Sequence, residues 1–136
     1  MMQRVLAIDY GEKRVGLALS DLMQIIGSPY KTIPNNPELI ADIQSIIIKK
    51  EVGCVIVGLP KGMKGQMTAQ TEHVLNFVEK LKEKNIKVEL IDERLSSVSA
   101  TKALIEQGIK TGHNKGLIDQ TAAAIFLQQF LDSQSK

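Results

Sequence analysis

The chain has 136 residues, 43% hydrophobic and 24% charged, with a formal net charge of +2. That describes one domain with a core of its own and excludes a polybasic arm or an acidic tail, so a nucleic-acid partner is permitted by the charge but not demanded by it. Trp is absent and aromatics are scarce, which argues against a base-stacking platform, and the single Cys54 excludes a disulfide framework.

Residues 5–9 and 15–20 are two apolar runs around a short polar turn, the pattern of an antiparallel hairpin. Residues 28–33 form a flatter, more polar third strand, expected near a sheet edge. Asn36 and Pro37 read as the N-cap and first position of a helix. Its buried face is Leu39, Ile40, Ile43, Ile46 and Ile47. Residues 52–58 are continuously apolar, as in a strand covered on both faces, and place the Cys54 thiol in the interior of a protein kept in a reducing cytosol. Residues 58–65 hold Gly58, Pro60, Gly62 and Gly65 and read as a loop. Thr68 can cap the next helix, whose stripe includes Val74, Leu75, Val78 and Leu81. Residues 86–91 read as a further buried strand, 96–108 as a helix ending at Gly108, and 117–131 as a last helix rich in Ala and Leu. No apolar run reaches bilayer-spanning length and the N-terminus leads straight into a strand, so the expectation is a cytoplasmic protein without membrane contact.

The order β-β-β-α-β-α-β-α-α predicts a single α/β domain over residues 1–136: a mixed sheet of about five strands, the first three antiparallel, with helices on both faces. In such sheets functional groups gather beyond the carboxyl ends of the strands. Asp9 ends the first strand, Asp92 and Glu93 the last, and the loop after Gly58 a third, so all can share one edge. Asp119, read in the first turn of the final helix, can face them if that helix packs across the sheet. Converging carboxylates repel one another unless a cation intervenes, and oxygen-only ligands select Mg2+ or Mn2+. Such a site suits phosphodiester hydrolysis. Each acid alone has a plainer reading: Asp9 as a turn cap, Asp119 as a partner of the helix dipole. Spacing alone does not assign the trio a role.

Four segments taken together resemble a family. They are Asp9-Tyr10-Gly11-Glu12-Lys13-Arg14-Val15-Gly16-Leu17-Ala18-Leu19-Ser20-Asp21, Val57-Gly58-Leu59-Pro60, Asp92-Glu93-Arg94-Leu95-Ser96, and Lys115-Gly116-Leu117-Ile118-Asp119-Gln120-Thr121-Ala122-Ala123-Ala124-Ile125. In this order, over nearly the whole chain, they look like the YqgF/RuvX family. The resemblance implies a ribonuclease-H-like fold in a cytoplasmic bacterial protein. It also implies a nuclease that trims the 5′ end of the 16S ribosomal RNA precursor; an older label for the family is Holliday-junction resolvase. Carried over by position, the family's acidic triad falls on Asp9, Glu93 and Asp119. The resemblance decides for Glu93 over Asp92, which strand alternation sends to the opposite face.

Around these acids, Lys13 and Arg14 on the hairpin turn, Lys61 and Lys64 in the loop after Gly58, and Arg94 are candidates for holding a phosphate backbone. Lys13 and Arg14 divide evenly between that role and a solvated turn, and Arg94 is as well suited to orienting Glu93. No Gly-Lys-Ser/Thr follows the glycines, which disfavours a nucleoside-triphosphate loop. Asp21 reads as a turn residue at the far end of the sheet, and His73 and His113 as solvated. The serines at 96, 97 and 99 lack a His/Asp partner in sequence and read as helix caps.

The expected substrate is a structured RNA precursor, with branched DNA as the alternative, acted on by a monomer or a homodimer. Two other readings stay open. The Asp9-Tyr10-Gly11 hairpin resembles the first phosphate loop of actin-like nucleotide-binding proteins, although those use two such domains. A non-catalytic RNA-binding ribosome-assembly factor is the third, weakened by the modest charge and scarce aromatics.

Overall fold

The computed structural model of the protein describes residues 3–61, 64–92 and 115–134. In chain order the elements are β1 (Arg4–Tyr10), β2 (Arg14–Ser20), β3 (Gly27–Pro34), α1 (Leu39–Lys49), β4 (Val52–Leu59), α2 (Ala69–Glu83), β5 (Val88–Asp92) and α3 (Lys115–Gln134). The strands form one sheet in the order β3-β2-β1-β4-β5. β1 pairs antiparallel with β2, and β2 with β3, while β4 runs parallel to β1 and β5 parallel to β4. This is the mixed sheet expected from the sequence. The helix expected over 96–108 lies outside the described residues.

Strand alternation divides the interior into two layers. Leu6 and Ile8 of β1, Val15 and Leu17 of β2, and Val55, Val57 and Leu59 of β4 pack against Leu39, Ile43 and Ile46 of α1 and Val74, Phe77, Val78 and Leu81 of α2. Val5, Ala7, Ala18 and Ile56 point the other way, onto Ala122, Ala123, Phe126, Leu127 and Leu131 of α3. β1 and β4 are therefore covered on both sides, which is why their sequences run apolar without a break. Small side chains at positions 7, 18, 122 and 123 let α3 lie close to the sheet. α3 thus comes to rest over β1, β2 and β3.

Three local expectations are corrected. α1 begins at Leu39, with Glu38 as an N-cap that makes no side-chain bond. Asn36 instead closes a turn, its Oδ1 accepting the Glu38 N–H at 3.0 Å, the bond to the residue two ahead that Asn favours in turns. The last strand covers Val88–Asp92 rather than 86–91 and is partly exposed, because it is the sheet's edge. The third correction concerns Asp119. Because α3 extends back to Lys115, this residue lies beyond the first turn. Its placement is therefore not explained by the helix dipole, which acts within that turn.

The start of α2 matches its reading, and adds a tie to the loop that follows β4. The Thr68 hydroxyl accepts the Thr71 N–H at 3.2 Å and the Thr71 hydroxyl accepts the Thr68 N–H at 3.0 Å, a reciprocal cap. Thr71, fully buried, also donates to the Pro60 carbonyl. Val at position 71 keeps the volume but strands the Pro60 carbonyl and the Thr68 N–H. Thr71→Val is expected to lower the unfolding free energy by about 1–3 kcal/mol in a urea titration.

Candidate active site

Asp9 is the one charged residue buried among the described positions, at 7% exposure. It sits near the carboxyl end of β1, and alternation from Val5 and Ala7 turns its side chain toward α3. Its cross-strand neighbour on β2 is Gly16. That glycine leaves no side chain between sheet and helix, and α3 fills the space. A Cβ added to Gly16 would collide with the Asp119 carbonyl group and lie 2.7 Å from the Gln120 nitrogen. The backbone of α3 at Asp119 is therefore seated on the residue paired with Asp9. The fold brings these two acids, 110 positions apart in sequence, to the same face and the same end of the sheet.

The surrounding contacts fix the two elements that carry the acids. The Asn35 side chain donates to the Gly11 carbonyl at 2.7 Å and its N–H donates to the Lys13 carbonyl at 3.0 Å, so the residue just past β3 grips the β1–β2 turn. Gln70 of α2 donates to the Tyr10 carbonyl at 3.3 Å, and the Tyr10 ring stacks on Phe77 with centroids 4.4 Å apart. At its other end α3 is clasped by Gln128, which accepts the Gly27 N–H and donates to the Ile25 carbonyl, each at 2.9 Å.

Among the positive candidates, Arg14 occupies a place that the sequence did not indicate. Its Nε donates to Asp119 Oδ2 at 3.0 Å, an ion pair with the side chains 40% and 20% exposed. Lys13 is exposed on the turn, Lys61 lies just past the end of β4, and Lys64 is exposed with its N–H on Gln66. Glu93 and Arg94 lie outside the described residues. Asp92 is described: it pairs with Leu59 across the parallel β4–β5 ladder, and Leu59 belongs to the layer of α1 and α2. Asp92 therefore shares that layer's face, opposite to Asp9. Ile91, its neighbour, packs on the α3 side.

Two other sequence readings are resolved at the far end of the sheet. Asp21 is a turn residue: its Oδ1 accepts the Ile25 and Ile26 N–H groups at 2.8 and 2.9 Å. Those bonds, Ile26 first, hold its carboxyl below the ordinary value. Cys54 is only half-buried, contacting Glu89 at 3.4 Å. Burial first, and then the hydrogen bond and charge of Glu89, push its thiol up to about 11. At pH 8 about one molecule in a thousand is then thiolate, so alkylation by iodoacetamide is expected to run about 100-fold slower than in the unfolded chain. A mass-spectrometric time course checks this, and the rate should climb as pH rises toward that value.

Among the described residues no group of three or more His, Cys, Asp or Glu side chains is gathered around one point. The pair at Asp9 and Asp119 offers only carboxylate oxygens, on a face where Gly16 keeps the space between strand and helix free of side chains. That donor set fits a hard divalent cation and not a soft one.

Comparison with known proteins bears on the family and the fold. The family described as "RuvX: Holliday junction resolvase" matches residues 3–133. A protein of Phocaeicola vulgatus, provisionally named a pre-16S rRNA nuclease, is 40% identical over 137 residues, covering 98% of each chain. A relative of the same provisional name from Clostridium botulinum is 38% identical over 136 residues, covering 98% of this chain and 99% of its own. Among solved structures, T. thermophilus RuvC in complex with Holliday junction substrate aligns over 97% of this chain and 95% of its own, with a TM-score of 0.60 at 16% identity. The Fowlpox virus resolvase bound to Holliday junction DNA covers 98% of this chain and 100% of its own, with a TM-score of 0.53 at 11% identity. At those identities the likeness speaks to the fold, a RuvC-like ribonuclease H architecture.

Proposed function

The chain belongs to the RuvX family, and from that premise we propose that it is a metal-dependent nuclease that hydrolyses phosphodiester bonds at the 5′ end of precursor 16S ribosomal RNA. The observation that carries this reading is the seating of α3 on Gly16, which sets Asp119 beside the buried Asp9 at the carboxyl end of β1. The provisional name of the full-length relatives supplies the substrate.

In this reading Asp9, Asp119 and Glu93 hold Mg2+ or Mn2+. β5 supports the third member, because it runs parallel to β4 and β1 and so ends, at Asp92, on the edge that Asp9 occupies. When bound, such an ion polarises the phosphoryl group and supplies a hydroxide-like nucleophile at neutral pH. The protein's own part is rigidity. Asp9 is held within a central strand and Asp119 on a helix whose backbone abuts that strand's partner. Lys13, Lys61 and Lys64, at the same edge, attract and position the phosphate backbone. A ribosomal RNA precursor places the reaction in the cytoplasm, and no described helix is long and apolar enough to cross a membrane.

A second substrate, branched DNA, is favoured by the family's description as a Holliday junction resolvase. A cleavage panel separates the two: precursor 16S RNA, mature RNA, duplex DNA and a four-way junction, each with Mg2+, Mn2+ or EDTA. Divalent-dependent cutting of the precursor near its 5′ end is the expected result. Selective cutting of the junction would move the assignment to branched DNA. Metal-free binding without turnover on every substrate would overturn the nuclease reading.

A further inference from the structure

We propose that Arg14 is a positioning residue whose guanidinium and the divalent cation are alternative counter-ions of Asp119, so that Arg14 holds the acid in the metal-free protein and yields it when the cation arrives. The proposal rests on the reading of Asp9 and Asp119 as ligands given above, and it assigns Arg14 a different task from gripping the substrate backbone.

The geometry favours exchange over a fixed prop. Arg14 opens β2, and alternation puts it on the face of Gly16 and Ala18, toward α3. Arg14, Asp9 and Asp119 thus surround Gly16, where the backbone of α3 comes up against the strand. The pair joins residues 105 positions apart through a single bond, Nε to Oδ2 at 3.0 Å. With side-chain exposures of 40% and 20% the contact is open to water, so breaking it leaves no charge stranded in the interior. The backbone beneath Asp119 cannot retreat from Gly16 without lifting α3, so exchange is confined to side chains.

Charge gives the direction. Two carboxylates facing one site repel, and a neighbouring cation offsets that repulsion. In the metal-free protein Arg14 is placed to do so. A divalent ion taking the same carboxylate meets a guanidinium a few ångström away, and like charges oppose its entry. Removing the Arg14 charge should therefore tighten metal binding. A prop that merely aimed Asp119 at the ion would give the opposite sign, since losing it would loosen a ligand.

The test is a Mn2+ titration of the full-length chain at low ionic strength, followed by the electron paramagnetic resonance of free Mn2+, so that no turnover is needed. Arg14→Gln is expected to bind Mn2+ about three- to tenfold more tightly than the parent, the size expected of one unit charge acting on a dication through a screened, water-rich path. Arg14→Lys, which keeps the charge, should stay within about twofold of the parent on the same electrostatic grounds. In an Asp119→Asn background the gain from Arg14→Gln should shrink, because competition for the shared carboxylate is gone and only direct repulsion of the ion remains. Unchanged or weaker binding by Arg14→Gln overturns the proposal, as does a gain of the same size without Asp119. Failure of the underlying site looks different: Asp9→Asn and Asp119→Asn would then bind Mn2+ as the parent does, and this proposal would fall with that reading.

Discussion

Asp9→Asn is expected to cut divalent-dependent cleavage by more than about 100-fold while leaving the fold intact. Even groups that only support a metal ligand are worth about 10–100-fold in activity or affinity, and Asp9 is proposed as a ligand itself. Asn preserves shape and one acceptor oxygen at a position only 7% exposed, but replaces the other oxygen with a donor and removes the negative charge. The melting temperature should therefore hold or rise, since a buried carboxylate facing another is relieved. Initial rates on the substrate preferred in the cleavage panel, set beside a thermal melt, separate the two effects. Full metal-dependent cleavage by the purified variant would remove Asp9 from the chemistry.

Gly16→Ala carries the second large effect. The added methyl would meet main-chain atoms of Asp119 and Gln120, which belong to a helix and cannot rotate away. Either α3 lifts or β2 bends, and overpacking of this kind costs about 1–3 kcal/mol, with the upper end expected where only backbone can yield. The same shift moves Asp119 relative to Asp9, and misplacing a reacting group by about 1 Å can cost on the order of 100-fold in rate. Gly27→Ala is the built-in comparison. Its methyl would lie 2.7 Å from Cγ of the Leu127 side chain, also on α3. A side chain can repack, so urea unfolding should show a smaller loss there and turnover should be nearly retained. Equal losses at the two sites would mean that contact at Gly16 is not what registers the helix.

The sequence was most legible where burial is two-sided or periodic. The apolar runs of β1 and β4 and the stripe of α2 declare themselves, because a central strand and an amphipathic helix each impose a spacing that chance rarely imitates. β5 was misread as buried because Val88, Leu90 and Ile91 look alike whether a strand is central or at an edge, and only the strand order places it at the margin. Asn36 was misread as a cap because Asn before Pro serves both a cap and a turn, and the local sequence does not choose between them. At the site, strand-end logic makes Asp9 a candidate without choosing between ligand and turn cap, and in-register pairing with Leu59 explains why Asp92 turns away. The Arg14–Asp119 pair was not legible, since nothing local links two residues that the fold alone brings together. The closest signal was Gly16 itself. A glycine inside an otherwise apolar strand often marks a place where another backbone comes close, and the one that comes close is α3.

Crystals grown with Mn2+ and measured for its anomalous scattering test the shared-ion arrangement most directly. A peak is expected about 2.0–2.3 Å from carboxylate oxygens of both Asp9 and Asp119, with the Arg14 guanidinium withdrawn from Asp119. Manganese bound elsewhere on the protein, with Asp119 still paired to Arg14 and no scattering beside Asp9, would contradict it.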